Sequence, residues 1–175
     1  MNTRRMITNA ILIAIGAILH QITPLLGVPM QPDLSLVMLF IIMIYNKDYK
    51  TTVICGLIVG IFAALTSKTP GGQIPNILDK FITCNIMYLV LIPLRDKISK
   101  IKQMTLLLPI GTLLSGTTFL TVLMVLSGLP GGASFVTLFM AIVIPTVILN
   151  AIIGIALFKI VERTVATTGA YLIEQ

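Results

Sequence analysis

Polar residues break the chain into six apolar runs, at roughly 6–26, 33–45, 51–66, 76–94, 104–127 and 134–160. Within each run apolar residues follow one another without the alternation of a half-buried strand, so each run predicts a helix. A helix needs about 20 residues to cross the hydrocarbon of a bilayer. The second and third runs fall short of that and are expected to tilt little, to extend into the interface or to span incompletely. Six crossings use most of the chain, which predicts one six-helix domain over 1–175 and leaves no room for a soluble one.

Composition turns the pattern into a class. The chain is 57% hydrophobic and only 10% charged, against about 25% charged residues in soluble domains. Its mean hydropathy is +1.04. Only helices and closed barrels satisfy every backbone group in lipid, and long unalternating runs select helices. The expected fold is therefore all-α, an integral membrane bundle of six transmembrane helices.

Charge gives the expected orientation. Counted by alternate sides, Arg4, Arg5, Lys47, Lys50, Arg95, Lys97, Lys100, Lys102, Lys159 and Arg163 share one side, and only Lys68 and Lys80 lie on the other. The positive-inside rule places the first set, and with it both termini, in the cytoplasm. This distribution accounts for the net charge of +6, so the basicity points to the lipid bilayer and to no nucleic acid. The opening MNTRR resembles that of a signal peptide, but no small-residue cleavage site follows before His20, so the first run is expected to stay as a span. Cys55 and Cys84 fall inside spans and read as small apolar residues.

Several chemistries lack their parts. No G-x-x-x-x-G-K-[ST] run is present to cradle ATP phosphates. With one histidine and no paired Cys/His spacing, neither an activated nucleophile nor a metal ligand set can be assembled. No enzyme activity, metal or cofactor is expected.

Intramembrane polar groups are costly and default to functional hypotheses. Those in this chain collect at the outer ends of the runs. They are His20 and Gln21 closing the first, Asp33 opening the second, Lys68 after the third, and Gln73, Asn76, Asp79 and Lys80 in GGQIPNILDK; Asn150 lies within the sixth. The outer loops, 25–33, 66–76 and 127–134, are rich in Pro and Gly, and Pro-Gly-Gly occurs in two of them, at 70–72 and 130–132. Such loops can fold tightly over the mouth of a bundle. Asn76 and Asp79 have the spacing of a capping box, which offers a purely structural role. Lys80 does not fit that role, because a cation in a first turn opposes the helix dipole. It needs an anion, from Asp33, from Asp79 or from outside. A lysine beside a helix N-terminus suits a carboxylate and an aspartate suits an ammonium, so the residues read as a site for a small polar or zwitterionic solute. Phe81, Tyr88, Phe119, Phe135 and Phe139 are candidate aromatic walls.

Small residues form stripes at Ala10, Ala14 and Ala17, at Gly56, Gly60 and Ala64, and at Gly111 and Ser115. Stripes of this kind let helices approach closely, inside the bundle or against another membrane subunit.

Taken together, the length, the six runs, Ala10-x-x-x-Ala14, and above all GQIPNILDK (72–80), GLPGG (128–132), His20, Pro32-Asp33 and Asn150 resemble the tryptophan-uptake S components of energy-coupling factor (ECF) transporters from Gram-positive bacteria. The resemblance implies a multi-pass protein of the bacterial cell membrane that captures tryptophan from outside. It also implies association, through the small-residue face of the first helix, with a transmembrane scaffold subunit and two cytoplasmic ATPases. Two other readings stay open from the residues alone: a homodimeric proton-coupled secondary transporter using His20 or Asp33, and a non-transporting assembly or sensor subunit.

Overall fold

The computed structural model describes residues 3–23 and 32–171; of the expected 25–33 loop, all but residues 32 and 33 lies outside them. The elements are α1 (Thr3–Ile22), α2 (Leu34–Tyr45), α3 (Tyr49–Leu65), α4 (Gln73–Leu91, continued by a 3-10 turn to Leu94), α5 (Lys100–Leu126) and α6 (Phe135–Thr168). No strand occurs among the described residues, and the six-helix, all-α expectation holds. Helices α1, α4, α5 and α6 are long and apolar enough to cross a membrane. At 12 and 17 residues, α2 and α3 are not.

The shortness of α2 has a packing counterpart. Every residue from Leu34 to Ile44 is buried, and the helix touches each of the other five. It is the axis of the bundle, and the apolar surface that a span would show to lipid meets protein all round. Asp33 caps its start, accepting from the Leu36 amide at 3.0 Å. Asp48 does the same for α3, accepting from the Thr51 amide at 2.9 Å, and Ser134 caps α6. These short acceptors satisfy amides that the first helical turn leaves without partners.

The expected capping box at Asn76 and Asp79 does not form. Helix α4 begins earlier, at Gln73, with Gly72 as its cap. Pro75 falls in the first turn, where an amide has no intrahelical acceptor and its absence costs little. Asn76 and Asp79 are thereby moved inside the helix and face the bundle, both buried. In α6, residues Phe139–Val143 form a π-helical turn just before Pro145. A proline has no N–H for the carbonyl four residues back, and a local π turn is one way for a helix to absorb the mismatch.

The small-residue stripes divide into two kinds. A Cβ on Gly56 would stand 2.5 Å from Cys84 Sγ, and one on Gly60 would stand 3.1 Å from Ile77 Cα, so this stripe seats α3 against α4. On α5, a Cβ at Gly111 would lie 2.2 Å from Phe40 Cζ. Gly111→Ala should therefore force Phe40, fully buried on α2, out of its place and cost about 1–3 kcal/mol, the usual range for overpacking. Reversible unfolding in detergent checks this, and unchanged stability would mean that Phe40 moves freely. Ala10 and Ala14 differ: both are exposed, on a face of α1 shared with exposed Ile7, Ile11 and Ile18.

At the end of the bundle that holds Arg5 and Tyr171, a polar clasp joins α1, α2 and the segment after α6. Asn46 Nδ2 donates to Asn9 Oδ1 at 3.1 Å and the Tyr171 hydroxyl donates to the same oxygen at 2.6 Å. The Tyr171 ring stacks on Tyr45 with centroids 4.8 Å apart.

Candidate functional site

At the opposite end, where α1, α3 and α5 finish and α2, α4 and α6 start, the bundle opens into a cavity of about 370 Å³, within the size range of small-molecule sites. Both Pro-Gly-Gly loops border this end. Gly71 takes φ 74°, a left-handed conformation open to glycine, and a Cβ there would press on Ser127 at 2.4–2.8 Å. Pro130, from the second loop, lines the cavity, as do Ser67, Lys68 and Thr69 from the first.

One wall is charged. Lys80 Nζ lies 2.6 Å from Asp33 Oδ2 and 2.5 Å from Asp79 Oδ2, and 3.5 Å from Ser115 Oγ. The lysine side chain is 1% exposed, with its carboxylate partners at 17% for Asp33 and 2% for Asp79. The remaining oxygens are also engaged: Asp33 Oδ1 accepts from Ser35 at 2.7 Å and from the Leu36 amide, and Asp79 Oδ1 accepts from Thr83 at 3.1 Å. His20 Nδ1 stands 3.7 Å from Asp33 Oδ1. Two carboxyl groups around one ammonium give this wall more acidic than basic groups. The facing wall is apolar, with Phe119, Leu120 and Leu123 from α5 and Leu138, Ile142 and Val143 from α6. Close contact between these two helices needs Gly116, where a Cβ would stand 2.7 Å from Val143.

Of the residues expected at the site, His20, Asp33, Asn76, Asp79 and Lys80 all line this cavity. Gln73 does not; it is exposed on the first turn of α4. Asn150 is fully buried behind the wall, donating to the Thr112 hydroxyl at 3.1 Å, and it is Thr112 that borders the cavity. Among the aromatic candidates only Phe119 is in the lining. Phe135 and Phe139 stack on one another with centroids 6.1 Å apart, Phe81 is exposed, and the Tyr88 hydroxyl bonds to the carbonyl of Lys47 at the other end. Thr112, Ser115 and Thr146 were not singled out as lining residues by sequence reasoning. The available signal is the helical spacing of Thr112, Ser115 and Phe119 on one face of α5; from the sequence, Ser115 reads only as part of the stripe with Gly111 and Phe119 only as an aromatic wall.

A polytopic helical membrane protein built around a solute-sized chamber, charged on one side and apolar on the other, is what this fold and cavity define. Comparison with known proteins narrows the class: the chain belongs to the family described as tryptophan transporter TrpP, whose model matches residues 2–166. It is 46% identical over 170 residues to a probable tryptophan transport protein of Clostridium perfringens, covering 93% of each chain. It is 41% identical to one of Clostridium acetobutylicum, covering 94% of this chain and 95% of that one. A probable tryptophan transport protein of Bacillus subtilis is 38% identical over 88 residues, about half of each chain. No solved structure matches the chain significantly. Membership of this family and the long apolar helices make it a multi-pass protein of the bacterial plasma membrane.

Proposed function

We propose that the protein is the substrate-capture subunit of an ECF-type importer: it binds tryptophan from outside the cell and passes it inward when joined to a scaffold subunit and two ATPases. The observation that carries this reading is the chamber's division into an acidic wall and an apolar wall in a member of a tryptophan-transporter family. An amino acid with a large aromatic side chain needs both surfaces. Its ammonium is drawn to the acidic side of Asp33 and Asp79, and its indole ring fits the Phe119, Leu120 and Ile142 side. Ten of the twelve basic residues belong to the end opposite the chamber or its adjoining loops, which supports a cytoplasmic placement of that end and an outward-facing chamber. The exposed Ala10–Ala14 face of α1 supplies a surface for close approach by a scaffold helix.

Tryptophan added to the outside of right-side-out vesicles should saturate binding at one site per chain without ATP, in preference to a panel of other amino acids and vitamins. Uptake should then require the scaffold and ATPases. Concentrative uptake by this chain alone, driven by a proton gradient, would instead establish a secondary transporter, and no solute binding at all would leave an assembly or sensor role.

A further inference from the structure

The geometry points to Lys68, at the rim of the chamber, as the residue that selects the ligand's carboxylate, with Lys80 serving only to hold the two aspartates in place. This inference rests on the proposed binding of tryptophan. An ammonium has three N–H groups, and those of Lys80 face three internal acceptors, on Asp33, Asp79 and Ser115. A ligand carboxylate approaching Lys80 must also approach two aspartates, at a place where charge repulsion is poorly screened. The ligand's ammonium meets the opposite situation and is attracted to the same wall.

Lys68 has neither restriction. It borders the cavity, its side chain reaches the neutral Gln21 carbonyl at 3.4 Å, and it forms no ion pair among the described residues. The loop that carries it is braced by the Gly72 amide donating to the Thr69 carbonyl at 2.9 Å and the Ser67 amide donating to the Ala64 carbonyl at 3.3 Å. The chamber therefore holds its carboxyl groups in the interior and its available positive charge at the rim. A zwitterion matches this polarity when its ammonium enters first and its carboxylate stays at the mouth, with the side chain lying along Phe119 and Leu120 of the apolar wall.

The test measures dissociation constants of tryptophan and of tryptamine, which has the indole and ammonium but no carboxylate, for the wild-type protein, Lys68→Met and Lys68→Arg. Lys68→Met should weaken tryptophan by about tenfold to 150-fold, the range for a hydrogen bond to a charged group, and leave tryptamine within about twofold. Lys68→Arg should recover most of the loss. If wild type binds tryptophan and Lys68→Met weakens both ligands equally, or neither, the assignment to Lys68 is overturned while tryptophan binding stands. If wild type binds no tryptophan, the proposed function and this assignment fall together.

Discussion

Lys80→Met should destabilise the protein by about 3–5 kcal/mol, the range for breaking a buried ion pair by removing one partner. Lys80 is 1% exposed and lies within 2.6 Å of both Asp33 and Asp79. Removing it leaves Asp33 and Asp79 facing one another with little water and only His20, 3.7 Å from Asp33, as a neighbouring base, so the penalty is mainly that of the acidic groups left behind. The companion variant Asp33→Asn/Asp79→Asn/Lys80→Met removes all three charges at similar volume and should regain much of the lost stability. Reversible denaturation of both variants in detergent checks the comparison. At a subdenaturing temperature Lys80→Met should lose tryptophan and tryptamine alike, because the acidic wall that both need has lost its geometry. A Lys80→Met protein of wild-type stability, or one that discriminates between the two ligands, would show that the lysine is free to serve the ligand directly.

The second large effect concerns transport and leaves binding intact. If the proposed importer is correct, replacing Ala10 and Ala14 together by Leu should abolish ATP-dependent uptake in vesicles containing it with its scaffold and ATPases, with tryptophan affinity changed by less than about twofold. Both alanines are exposed and neither borders the chamber, so leucine side chains there leave the site untouched. They would fill the space into which a helix of the proposed scaffold packs. Equal loss of binding and uptake would mean that the face supports the bundle itself.

Some of this architecture is written plainly in the chain. Six apolar runs give six helices because in lipid no other backbone arrangement is available to them. The convergence of His20, Asp33, Asn76, Asp79 and Lys80 followed from their common place at one end of successive runs, which antiparallel neighbours bring together. Local patterns were less informative where tertiary packing decided the outcome. The spacing of Asn76 and Asp79 matches a capping box, yet Pro75 is tolerated in a first turn and the helix starts before it. Each of the three small-residue stripes contains a pair four residues apart, but Gly60 and Gly111 are used inside the bundle whereas Ala10 and Ala14 face out. The inward facing of Phe119, and the retreat of Asn150 behind Thr112, depend on helix rotations that a list of polar positions does not contain.

The buried axis helix also constrains how the molecule is made. As the most enclosed helix, α2 is also too short to cross the membrane by itself, since 12 residues extend about 18 Å against a hydrocarbon core of about 30 Å. Released alone into lipid, it would thin the bilayer around itself or draw the polar groups at its ends, Asp33 and Asn46, below the headgroups. Its stable position exists only once other helices surround it. Insertion along the chain is therefore not a sequence of six independent events: α2 must wait beside α1, or at the interface, until later helices close around it, and the acidic wall is completed at that moment, when α4 brings Asp79 and Lys80 to Asp33.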